Sequence, residues 1–116
     1  MANTIGTPTV TRGLHKNLNG AFSEVITASA AISDQDAVAA NDTTTFSMTV
    51  AGAAVGDMCA VAIDNDLSDG TDQCAVTATV TAANTVGVRV HADVGEYAAD
   101  DLNNATVKVL LMRPAW

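Results

Sequence analysis

The sequence predicts an all-β chain, folded as a small antiparallel β-sandwich (jelly-roll-like or Ig-like) with an extended N-terminal arm. Three observations carry that expectation. Apolar residues recur at every second position in several short runs, the period at which strand side chains return to one face of a sheet. Clusters of Gly, Asn, Asp and Ala punctuate those runs as turns do. No run shows the convincing 3.6-residue apolar period of an amphipathic helix. Six or so short strands joined in this way favour two packed sheets.

Residues 1–20 read as an arm and residues 21–116 as the sandwich domain. The stretch from Thr7 to Gly20 mixes Gly, Pro, Asn and Thr with no apolar period, and it carries Arg12, His15 and Lys16. The remainder is almost purely acidic. Such segregation suits an arm that contacts an acidic surface on its own domain, a neighbouring subunit or a larger partner, the alternative being a disordered terminus.

Phe22–Thr27 reads as the first strand, and Ala28–Ala40 as loop or short strand. Thr43–Val50 alternates cleanly, with Phe46, Met48 and Val50 on one face. Ala51–Asp57 is a turn, with Gly52 and Gly56 available for positive φ. Met58–Ile63 is apolar on both faces, the pattern of a central strand. Asp64–Asp72 reads as an acidic loop. Cys74–Val90 forms the clearest hairpin, linked through Ala82-Ala83-Asn84, where Asn84 tolerates the left-handed region. Asp93–Asn104 is a second acidic loop. Thr106–Met112 closes the chain as a strand, with Val107, Val109 and Leu111 facing one way.

At 116 residues the chain is one domain, able to bury roughly two-thirds of its unfolded surface. Its apolar content is 48%, most of it Ala and Val, and its aromatics are Phe22, Phe46, Tyr97 and Trp116. Small β-branched side chains make a thin core. A thin core leaves stability marginal, which points to self-association or docking. Thirteen acids against five bases give a net charge of −8, a field that repels nucleic-acid phosphate and anionic membranes. Neither is expected as a partner.

The first residues lack the basic and apolar regions of a secretory signal, and no run approaches the roughly 18 apolar residues of a membrane helix. Synthesis in a cytosol is the expectation. Cys59 and Cys74 then begin reduced, as buried thiols or as a disulfide formed later.

Asp64-x-Asp66-x-Ser68 opens like a calcium loop, but its glycine falls one residue late and Ala75 stands where a bidentate Glu belongs. A solvated turn is the better reading. His91, Asp93 and Glu96 lie close together but lack an activated nucleophile. Phosphate loops, dinucleotide fingerprints and cysteine knuckles do not occur. The chain is therefore read as a binding and assembly domain rather than an enzyme, with no catalytic residue, cofactor or metal expected. Arg12, His15, Lys16 and Trp116 are the candidate partner-binding residues. Trp116 serves either as packing on its own domain or as an anchor in a subunit contact, where Trp and Arg are favoured.

Two segments carry a resemblance. Val50-Ala51-Gly52-Ala53-Ala54-Val55-Gly56-Asp57 precedes an apolar strand, and Val80-Thr81-Ala82-Ala83-Asn84-Thr85-Val86-Gly87-Val88-Arg89-Val90 follows. In order and spacing they resemble the "gAavGD" turn and "vtaanTVtVRv" hairpin of a group of small tailed-phage virion proteins, most similar in role to capsid decoration, or cement, proteins. Asp64–Asp72 is more acidic than the matching turn of that group, and residues 1–20 lie outside the likeness. The resemblance implies a virion component made in the bacterial host cytoplasm. Its partner would be the major capsid protein, and it would act as a homo-oligomer, for which a trimer on a local three-fold axis is the expected form. A tail, neck or fibre component is the alternative.

Overall fold

A computed structural model of the chain describes residues 3–13, 21–35, 42–64, 68–69, 72–94 and 104–115. Its strands are β1 (Thr4–Ile5), β2 (Thr9–Gly13), β3 (Phe22–Asp34), β4 (Thr43–Thr49), β5 (Met58–Ile63), β6 (Ser68–Asp69), β7 (Asp72–Ala82), β8 (Thr85–Val94) and β9 (Thr106–Pro114). The described residues include no helix. All pairings are antiparallel, and the strands form two packed sheets, the sandwich the alternating pattern predicts.

One sheet runs β1–β3–β9–β5, with β2 also on β3; the other runs β4–β8–β7–β6. β1 and β2 lie in succession along one edge of β3, broken at Gly6–Pro8, while β9 takes the opposite edge. Since β2 and β9 both oppose β3, they run parallel to each other.

Alternation builds the core. Ile26, Ala28, Ala30 and Ile32 of β3 face inward with Val107, Val109 and Leu111 of β9. The other sheet presents Phe46 and Met48 of β4 and Val86, Val88 and Val90 of β8, all five fully buried. Burial of each side chain of this size contributes about 1.5–3 kcal/mol. The thin composition is compatible with a closed interior because small inward residues such as Ala28 and Ala30 let the sheets approach.

Three elements differ from the sequence expectation. β3 continues to Asp34, because the strand alternation runs on past Thr27, with Ala28, Ala30 and Ile32 buried inward and Ala31 and Ser33 exposed outward. Among the described residues Met58–Ile63 is an edge strand and not a central one: β5 pairs there with β9 alone, its inner residues Cys59, Val61 and Ile63 pack on the core, and Met58, Ala60 and Ala62 face outward. Apolar content on both faces reflected small alanines, not burial. Within Asp64–Asp72, Ser68–Asp69 forms a two-residue strand against β7.

The turn and the hairpin named above meet in space. Val50 N–H donates to Asn84 O at 2.9 Å, and Asn84 N–H donates to Ala53 O at 2.9 Å. Gly52 and Gly56 have φ of 91° and 102°, and Asn84 has φ of 62°. Each occupies the left-handed region anticipated for it.

Candidate interaction surface

Four charged side chains from distant parts of the chain converge at one end of the five-stranded sheet. Glu24 on β3 stands opposite Arg113 on β9 in the strand register. Arg113 Nη1 donates to Glu24 Oε2 at 2.7 Å. The same guanidinium forks onto Asp57, with Nε to Oδ1 at 2.9 Å and Nη2 to Oδ2 at 3.1 Å, and Nη2 also reaches Gly52 O at 2.8 Å. Bidentate arginine–carboxylate pairs of this kind fix geometry as well as charge. Arg12 on β2 donates from Nε to Glu24 Oε1 at 2.7 Å and forms an ion pair with it. Its guanidinium lies over Gly52, where a Cβ would come within 2.6 Å of Arg12 Cζ.

Burial pushes the Asp57 carboxyl up, but the hydrogen bonds from Arg113 and from Ala54 N–H outweigh it and hold the group below its ordinary value. The bond to Asp57 in turn raises Arg113. Two cations and two anions cancel, so the cluster is a neutral clamp joining β2, β3, β9 and the turn after β4.

Of the residues singled out for partner binding, Arg12 is placed here, half exposed at 51%, with the acidic surface it meets being Glu24 of its own domain. The start of the expected arm accordingly lies, over Thr4–Ile5 and Thr9–Gly13, along β3. His15, Lys16 and Trp116 lie outside the described residues, as do most of both acidic loops. Sequence reading missed Glu24, Asp57 and Arg113, whose partnership spans up to 89 positions and leaves no local pattern.

His91 Nδ1 and Thr43 Oγ1 are hydrogen-bonded at 2.9 Å on the outer face of the four-stranded sheet. Among the described residues no three His, Cys, Asp or Glu side chains gather as metal ligands would. Cys59 is a free, half-buried thiol whose pKa is raised by burial and by the nearby Asp57 charge. That environment disfavours the reactive thiolate.

The outer faces of both sheets are hydroxyl-rich. On the five-stranded sheet an open groove of about 490 Å³ is lined by Thr9, Thr11, Thr27 and Ser29 with Leu110 and Lys108. On the other sheet Thr45, Ser47, Thr77 and Thr79 surround Arg89. These surfaces offer hydroxyls, short apolar groups and few charges.

No family model matches the chain, and no curated protein or solved structure is significantly similar to it.

Proposed function

We propose that this chain is a structural virion protein that binds the outer surface of a phage capsid and stabilises it, acting by contact and not by catalysis. Its partner is the major capsid protein, and it works as a homo-oligomer. One observation carries the reading: the two segments that resemble small phage virion proteins, Val50–Asp57 and Val80–Val90, form a single hydrogen-bonded unit around Asn84. A unit built from both segments has a physical reason to keep them together, in order and at a compatible spacing. The hydroxyl-rich sheet faces and the acidic charge suit a subunit that stays dispersed before it docks.

The test is the copy number of this chain relative to the major shell protein in purified virions, by quantitative mass spectrometry. A ratio within a few-fold of the shell protein supports decoration. A ratio far below it moves the chain to the tail, neck or fibre, where the acidic segments Asp64–Asp72 and Asp93–Asp101 would meet other surfaces. Absence from virions overturns both.

A further inference from the structure

Sheet edges expose unpaired N–H and C=O groups, and proteins blunt them with charge, proline, bulges or cover. Most edges of this sandwich are blunted. The edge formed by β1 and β2 is interrupted at Pro8 and carries Arg12. β5 and β7 lie against each other along one side of the sandwich, and β6 covers the start of β7. β4 differs. Thr43–Thr49 contains no charge and no proline, pairs with β8 in an unbroken register, and among the described residues has β1 and the Gly6–Pro8 link beside its other edge but no strand paired to it.

The direction of its backbone groups follows from the hydrogen bonds that bracket it. Ala92 N–H donates to Asp42 O at 3.0 Å and Val50 N–H to Asn84 O at 2.9 Å. In an antiparallel ladder bonded and non-bonded pairs alternate. Residues 42, 44, 46, 48 and 50 therefore bond to β8, while Thr43, Thr45, Ser47 and Thr49 aim their amides outward. Asp42 Oδ1 takes the Thr43 N–H at 2.8 Å, consistent with this alternation. Thr45, Ser47 and Thr49 are left with exposed donors and acceptors.

We propose that β4 is a self-association edge, on which two copies of this chain pair antiparallel about a two-fold axis through Ser47. Ser47 then faces its own counterpart, and Thr45 faces Thr49 of the second copy, which joins the two four-stranded sheets into one. The set 45, 47, 49 is symmetric about its centre, so it complements itself without any second sequence. Thr–Thr and Ser–Ser neighbours are favourable cross-strand pairs. A chain of net charge −8 also meets itself at a strand free of charged side chains. An open groove of about 240 Å³, lined by Ile5, Pro8, Ser47 and Thr49, leaves room beside the edge for an incoming backbone. The pair is closed and isologous, in contrast to the three-fold form expected from the sequence. One strand pair is a small interface, in the size class of weak and transient contacts.

Pairing through β4 requires no shell protein. The isolated chain tests it with no shell present, so its failure and failure of the shell-binding reading are separate results. Sedimentation equilibrium of the full chain, up to about 500 µM, is expected to show a monomer–dimer equilibrium. Ser47→Pro removes an N–H that β8 does not use, and should weaken dimerisation at least about tenfold while leaving the circular dichroism spectrum unchanged. A Thr45→Lys/Thr49→Lys double variant, which sets lysines of the two copies opposite each other, should do the same if proline disturbs the fold. Thr79→Lys, on the outer face of β7, should leave association intact. A monomer throughout, a trimer, or a dimer that survives both edge variants overturns the proposal.

Discussion

The side-chain oxygen of Asn84 accepts a hydrogen bond from the N–H of Gly52 at 2.8 Å, across 32 positions of sequence. The β7–β8 turn is thereby fastened to the turn after β4. Asn84 suits the site twice over, since it adopts positive φ and its carboxamide reaches the neighbouring turn.

Replacing Asn84 separates those two properties. Asn84→Ala should destabilise by about 2 kcal/mol, combining left-handed strain with a lost hydrogen bond. Asn84→Gly should lose only about 1 kcal/mol, because glycine accepts the backbone angle. Urea unfolding measures both; equal losses would show that backbone strain is not part of the effect.

Gly52 and Gly56 offer a matched comparison. Both have positive φ, but an added Cβ at Gly56 meets nothing within 4 Å, whereas at Gly52 it runs into the Arg12 guanidinium. Gly56→Ala should cost about 1 kcal/mol from strain alone. Gly52→Ala should cost more and release Arg12 from Glu24, a difference readable in thermal melts with and without an Arg12→Ala background.

Asp57 makes stability depend on acidity. Its carboxyl titrates near 3.8 when unpaired and lower in the fold, so the folded chain binds fewer protons between those values. The contribution is fully present above about pH 4–5 and is lost as pH falls through the folded pKa. Asp57→Asn should therefore be clearly less stable than the parent at pH 6, and the gap should narrow as pH approaches 3. Melting temperatures across that range test this, and a gap that stays constant would remove Asp57 from the acid response. Arg113→Lys should weaken the clamp at neutral pH, because lysine keeps the charge but lacks the fork.

Core and edge should respond differently to truncation. Phe46→Ala is expected to cost about 3–5 kcal/mol, since the side chain is fully buried and leaves a cavity. Met58→Ala, on the outer face of β5 and 46% exposed, should cost under about 0.5 kcal/mol. Similar losses at the two sites would contradict the inward and outward assignments.

Much of this architecture was legible in local pattern. The alternation of Phe46, Met48 and Val50, the β7–β8 hairpin, and the inward Val107, Val109 and Leu111 all report a two-residue period that folding cannot easily override. Edge or centre was not legible for β5, because alanine is apolar enough to read as buried and small enough to sit exposed. The strands β1 and β2 were hidden because an edge with one covered face needs few inward apolar residues, here Ile5 and Val10. The clamp was invisible for a different reason. Arg12, Glu24, Asp57 and Arg113 come together only after three separate strand pairings and a turn have set their positions, so no window of sequence contains the signal.

The flanking of β3 by β2 and β9 has a mechanical consequence. β1 begins beside Asp34, and β9 ends beside Phe22, at the other end of β3. Tension transmitted through the chain before β1 and after β9 therefore pulls the two outer strands lengthwise past β3 in opposite directions. The ladder bonds lie across that direction and share the load together, instead of opening one at a time as in a peeled hairpin. The first and last strands thus form a shear-loaded fastening, the geometry in which a thin alanine–valine core gains resistance to force beyond its equilibrium stability.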